Sequence, residues 1–260
     1  MASLSTTRGD GGVVRITMDR PEVHNAFDEA MVAAVEEAFA GASADPQARV
    51  IVLAGRGRNF CAGADIQWMK RQGEATVEAN LEDARRFAAM LHRIATSPKP
   101  TVAAVQGACM GGGVGLACAC DFTIAAQDAR FSVSEARFGI LPSVIGPYLI
   151  AAVGVRQAKR LALSAERIDA PEALRIGLAH QVVAAESLAP AVDALLAQLR
   201  ESAPGAIAEV KALYSRLGAL GIGEEARELT AATIARVRGT GEAREGFAAF
   251  LEKRKARWTI

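Results

Sequence analysis

Two segments built from glycine and other small residues, Phe60-Cys-Ala-Gly-Ala-Asp65 and Gly107-Ala-Cys-Met-Gly-Gly-Gly-Val-Gly115, constrain this chain more than any other feature. Each follows a short run of interior character, Val50–Ala54 in the first case and Thr101–Gln106 in the second. Such runs read as buried strands, so each segment lies where a strand gives way to a turn or a helix. Small residues at these points leave backbone N–H groups unshielded and let another molecule approach the main chain. Two N–H groups converging on one oxygen stabilise negative charge on a carbonyl. The competing reading is a phosphate-cradling loop. Neither GxxxxGK[ST] nor GxGxxG occurs, which removes the common nucleotide-binding motifs.

The rest of the pattern is strand–helix alternation. Gly12–Met18 alternates as a half-buried strand, Pro21–Asn25 reads as a turn, and Asp28 is placed to cap a helix through Phe39 that Gly41 closes. A long amphipathic helix is expected from about Ala75 to Thr96, ended by Ser97-Pro-Lys-Pro100, and a shorter one over Val114–Cys120. Strands follow at Asp121–Ala125 and Ala129–Val133. Beyond Pro147 only Gln181–Val183 reads as a strand, and the remainder is helical. The sum is an α/β chain with mainly parallel pairing. A composition shift near residue 200 divides it into an α/β core over residues 1–200 and a helical region over 201–260. No close sequence repeat is visible.

Composition excludes several functions. A formal net charge of +1 across 260 residues gives no general attraction to nucleic acid or to an acidic membrane surface. Basic clusters interleaved with aromatics, the signature of an RNA-binding face, are missing. No apolar run approaches membrane-spanning length. Met1–Asp10 lacks a basic region followed by an apolar stretch, so no secretory signal is expected. Cys61, Cys109, Cys118 and Cys120 show no CxxC pair or zinc spacing, and no metal site is expected. Small apolar neighbours make three of these thiols read as packing groups, in a reduced, cytoplasmic protein. His24, His92 and His180 are scattered, and no triad joins them.

Glu135 is the candidate acid/base. It follows the strand ending at Val133 and precedes Ala136-Arg-Phe-Gly-Ile-Leu-Pro142, an apolar setting that raises a carboxyl pKa. Read from the residues alone, a surface glutamate paired with Arg137 fits as well. Trp68 and Met69 are expected to line a pocket or the nearby core, and Asp65 to cap the helix after it. Arg56 and Arg58 are candidate phosphate ligands, with a solvated loop pair as the alternative.

The two glycine segments, in this order and setting, resemble the crotonase (enoyl-CoA hydratase/isomerase) family, whose members hold a thioester carbonyl between two peptide N–H donors. The resemblance implies a spiral of ββα repeats, with C-terminal helices used for trimerisation in a homotrimer or homohexamer. It implies Ala64 and Gly112 as the donors and Glu135 as the catalytic acid/base. It also implies an acyl-CoA substrate with no separate cofactor. Coenzyme A would be met by Val23, His24, Ala26, Ala62, Ala64, Asp65 and Ile66, and by Phe250 and Lys253 of a C-terminal helix, often a neighbouring subunit's. Many family hydratases carry a second glutamate two positions after the triple glycine, where this chain has Gly115. A single carboxylate serves a hydratase that moves both protons with one group. It serves a Δ3-Δ2-enoyl-CoA isomerase equally, and a non-catalytic acyl-CoA-binding scaffold is the third reading. The stretch Ser134–Pro147 is similar to hydratases acting on branched glutaconyl-CoA substrates of leucine and acyclic-terpene breakdown, which favours hydration.

Overall fold

The computed structural model describes residues 4–259; the first three residues of the Met1–Asp10 stretch lie outside them. The strands are β1 (Leu4–Gly9), β2 (Val13–Met18), β3 (Val50–Gly55), β4 (Thr101–Val105), β5 (Ala108–Met110), β6 (Phe122–Ala126), β7 (Arg130–Ser132), β8 (Arg167–Asp169) and β9 (Gln181–Val183). The helices are α1 (Glu29–Ala44), α2 (Ile66–Gly73), α3 (Val77–Ala95), α4 (Gly112–Ala119) and α5 (Gly146–Ser164). They continue with α6 (Ala170–Arg175), α7 (Leu188–Glu201), α8 (Pro204–Leu220), α9 (Glu224–Arg238) and α10 (Gly241–Leu251).

Six strands form one sheet in the order β1-β2-β3-β4-β6-β9, and β5-β7-β8 form a second. From β2 to β9 the large sheet is parallel, and only β1 runs antiparallel to its neighbour. Its centre is apolar on both faces, which is why Val50–Leu53 and Val102–Val105 read as continuous hydrophobic runs. Alternation sorts them. Ile51, Leu53, Ala103 and Val105 join the main core with Val35, Phe39, Leu91 and Ile94 of α1 and α3. Val50, Val52, Val102 and Ala104 face Val192 and Leu196 of α7.

From β3 onward one step recurs three times. A strand of the large sheet (β3, β4, β6) leads to a short piece of the small sheet (the Cys61 bridge, β5, β7) and then to helix. These are the expected ββα turns. Their repeat is geometric, so it leaves no similarity between one turn's residues and the next.

Three strands exceed the sequence reading. β1 is a half-exposed edge, β5 lies inside the second glycine segment, and β8 is only three residues long with Ile168 alone buried. α1 is capped by the Asp28 side chain, which accepts from Met31 N, but runs through Gly41 to Ala44. α5 is broken at Gly154, whose φ of 73° is open to glycine. The C-terminal helices differ from the rest: α8 and α9 bury no residue and α10 only Ala249. Among the described residues no helix is long and apolar enough to cross a membrane.

Candidate active site

Backbone pairing fixes the first glycine segment in place. Cys61 N donates to Ala108 O at 3.0 Å, and Met110 N donates to Cys61 O at 2.9 Å, which splices the segment onto β5. Two residues on, Phe27 N donates to Gly63 O at 2.9 Å and Asp65 N to Phe27 O at 2.8 Å. The residue between them, Ala64, therefore turns its own N–H away from Phe27 and toward the cavity it lines.

The second donor comes from a helix start. Gly111 adopts φ 51° and ψ −120°, which a side chain would resist, and its N–H is taken by Ser132 O at 2.8 Å. The next residue, Gly112, opens α4, so its N–H has no partner within the helix. The α4 dipole adds partial positive charge at the same place. The two segments touch: a Cβ on Gly63 would lie 3.8 Å from Gly112 N. Phe27 braces the contact, with its ring 5.8 Å from Trp68 and 5.1 Å from Phe87 between centroids. A Cβ on Gly112 would meet its Cζ at 2.3 Å.

Glu135 begins a short 3-10 turn beyond β7 and points back to this contact. Its Oε1 lies 3.2 Å from the position of a Cβ on Gly111, and its Oε2 is buried without a hydrogen-bond partner. Burial raises its pKa above the ordinary carboxylate value, partly opposed by its own backbone N–H. Ala64, Gly112 and the desolvated Glu135 carboxyl thus line one cavity of about 1000 Å³, whose wall also includes Trp68, Met69, Phe87, Leu141 and Ile145.

The place of the missing second carboxylate is filled. A Cβ on Gly115 would stand 2.3 Å from Ile145 Cγ2 and 2.9 Å from Ile145 Cβ. Glycine is there because an isoleucine from the start of the α5 region occupies the space. A glutamate at 115 would need Ile145 to move first.

The other expected residues separate. Ala62, Ala64 and Ile66 line the cavity with the donors. Asp65 caps α2, accepting from Gln67 N at 2.9 Å, and pairs with Arg20 at 3.2 Å. Burial pushes its carboxyl up, but the two backbone donors and Arg20 outweigh it and hold it below the usual value. Val23 and Ala26 shape the turn rather than a cavity wall: Val23 N donates to Arg20 O, and Ala26 O accepts from Arg20 Nη1. His24 lines a second, smaller cavity with Arg58. Arg56, a candidate phosphate ligand, is instead paired with Asp19 at 2.7 Å. Phe250 is 83% exposed and Lys253 follows α10; the fold of one chain brings neither to the cavity. Cys61 is buried, and burial pushes its thiol up to about 12, which fits a packing group. His92 is exposed, and His180 Nδ1 accepts from Thr123 N.

Sequence reasoning missed Phe27, Phe87 and Ile145. Phe87 has the right spacing with Leu91 and Ile94 to face inward on α3. Phe27 and Ile145 carry no periodic signal, and only the folded contacts reveal them.

The raised pKa has a consequence for stability. The folded protein binds the Glu135 proton more tightly than the unfolded chain does, so stability falls as pH rises from the ordinary carboxyl value through the raised one. Glu135→Gln removes this loss. Its melting temperature is expected to exceed the parent's at neutral pH and to converge with it toward pH 4, as read by thermal denaturation across pH. A constant offset at every pH would contradict the burial effect.

Residues 8–260 match the family described as Enoyl-CoA hydratase/isomerase. The chain is 34% identical over 245 residues to a crotonyl-CoA hydratase of Syntrophomonas wolfei, covering 92% of this chain and 91% of that protein. A crystal structure of an enoyl-CoA hydratase from Shewanella pealeana superposes with a TM-score of 0.95 at 38% identity, over 98% of this chain and 96% of that one. Pseudomonas aeruginosa AtuE superposes with a TM-score of 0.94 at 40% identity, over 99% and 100% of the two chains.

Proposed function

This chain belongs to the enoyl-CoA hydratase/isomerase family, and we propose that it adds water reversibly to an α,β-unsaturated acyl-CoA with Glu135 as its sole carboxylate acid/base. The observation that carries the reading is the Glu135 carboxyl, with Oε2 buried and unpartnered, set against the meeting of the glycine segments. The thioester oxygen sits between Ala64 N–H and Gly112 N–H, and the acyl chain extends past Trp68 and Phe87. Glu135 carboxylate takes a proton from water as the water oxygen bonds to the β-carbon. The double-bond electrons move to the thioester oxygen, where the two donors stabilise the enolate, each worth roughly 2.7–4 kcal/mol. The carboxyl then returns its proton to the α-carbon. Raising its pKa toward neutrality suits one group to both roles. With Ile145 in the place of a second carboxylate, no other acidic side chain is needed for the balance of protons.

Hydration is favoured over isomerisation by the hydratases among the chain's relatives. The direct test follows absorbance of the conjugated enoyl thioester with crotonyl-CoA. The protein should lower the band to an equilibrium level, and Glu135→Gln should slow this by about 10²–10⁴-fold with acyl-CoA affinity little changed. Gain of the band from a 3-enoyl-CoA would instead assign an isomerase. Tight binding with no change would assign a scaffold.

A finer reading concerns the acyl group: a branched glutaconyl-type chain with a distal carboxylate. Arg137 supports it, as a cavity-lining cation that has no carboxylate within 4 Å among the described residues. Arg137→Ala should lower kcat/KM for 3-methylglutaconyl-CoA by about tenfold, the worth of one charge-assisted contact, and leave crotonyl-CoA unaffected. Equal losses on both substrates would remove the carboxylate reading.

Assembly belongs to the same proposal. Val210, Tyr214, Ile234, Phe247 and Phe250 leave α8–α10 with large exposed apolar groups. Packing around a three-fold axis covers them and brings Phe250 and Lys253 toward a neighbour's CoA. Light scattering at micromolar concentration should give a trimer or hexamer; a monomer would refute it. The four free thiols, three of them in fully buried residues, suit a reducing compartment such as the cytoplasm.

A further inference from the structure

The outer face of the small sheet carries a second cavity, of about 440 Å³, that the acyl chemistry leaves unused. Alternation directs Cys109, Phe131 and Ile168 into the core, where all are buried. It places Ala108 beside Arg130, and Met110 in line with Ser132 and Arg167, on the opposite face. Across from them stand His24, Arg58 and Asn59, and Asp128 completes the wall.

Three guanidinium groups therefore share one small cavity with one carboxylate. Elsewhere the arginines are mostly matched: Arg20 with Asp28 and Asp65, Arg56 with Asp19, Arg160 and Arg175 with Glu172, and Arg236 with Glu209. Among the described residues, Arg58, Arg130 and Arg167 have no carboxylate within 4 Å. Arg130 is oriented by its Nη1, which donates to Ala129 O at 2.8 Å and Gln127 O at 3.2 Å, leaving its other donors free. Asn59 is fixed too, because its Oδ1 accepts from Ala108 N at 2.8 Å. Its amide nitrogen then faces His24 Nδ1 at 3.0 Å, so that nitrogen accepts and His24 offers Nε2–H as a donor. In a chain with a net charge of only +1, this is a local concentration of cations arranged as donors.

We propose that this cavity binds a phosphate-bearing anion through Arg58, Arg130 and Arg167. Guanidinium groups match phosphate oxygens in charge and in hydrogen-bond geometry. Met110 and Arg167 border both this cavity and the acyl cavity. Two sources meet the same chemistry: the phosphates of a CoA substrate, which rests on the function proposed above, and a separate phosphorylated small molecule, which does not.

The experiment is calorimetric titration of the intact protein with inorganic pyrophosphate, which needs no turnover. Saturable binding is expected, weakened at least tenfold by Arg58→Gln and by Arg130→Gln, and unchanged by Arg236→Gln, which removes an equal charge elsewhere. The Arg58 side chain makes no hydrogen bond within the described residues, so Arg58→Gln keeps the test valid even if Arg130→Gln disturbs its turn. Repeating the titration with saturating CoA separates the sources. Displacement of pyrophosphate assigns the site to the CoA phosphates, and simultaneous binding assigns it to a separate ligand. No saturable binding at millimolar pyrophosphate, or binding indifferent to Arg58→Gln, would overturn the proposal, whether or not the protein proves to be a hydratase.

Discussion

The two glycine segments can meet only because no side chain stands between them. A Cβ on Gly63 would lie 2.9 Å from Met110 O, and one on Gly113 would lie 2.7 Å from Cys61 O. Both targets are backbone atoms that cannot move aside cheaply. The contact in turn requires the ladder from Cys61 to β5 and the bridge from Phe27 to Ala64. These pairings hold Ala64 and Gly112 on the wall of the same cavity before any ligand arrives. Donors fixed in this way would need no reorganisation as charge develops on a bound carbonyl, which is the basis of the role proposed for them.

Around that contact, the site departs from a two-carboxylate design in a consistent way. Ile145 fills the space beside Gly115, and Glu135 keeps a buried oxygen without a partner. An unpaired buried carboxyl costs stability when ionised, and the same burial brings its pKa nearer neutrality. The folding cost and the proton chemistry proposed for Glu135 therefore have one cause. Cys61, beside the first donor, shows the opposite outcome of burial: its thiol is raised to about 12 and is out of reach of catalysis near neutral pH.

Much of this was legible in the residues. Val50–Leu53 and Val102–Val105 are continuous apolar runs, so the central strands could be read directly, and glycine marked where they ended. Asp28 and Asp65 announced their helices as capping residues, and both accept the expected backbone bonds. Glu135 was singled out through its position after a strand and through family resemblance, and the fold sets it beside the glycine contact. What stayed hidden depends on contacts between distant parts of the chain. β5 and β8 are three residues each, and both take their place by pairing with β7. Ile145 gave no sign that it would oppose Gly115, thirty positions earlier in the sequence. The grouping of Arg58, Arg130 and Arg167 likewise required the small sheet to be assembled, since these residues come from three distant stretches of the chain.

The claim on which the rest depends is that Ala64 N–H and Gly112 N–H together polarise a thioester carbonyl. Difference infrared spectroscopy of a carbonyl-labelled crotonyl-CoA bound to the slow Glu135→Gln variant reads this directly, because the bond being weakened is the one observed. The account predicts a carbonyl stretch at clearly lower frequency than for the same thioester free in water. A frequency equal to or higher than the free value would mean that the two donors do not share that oxygen, and would contradict the account.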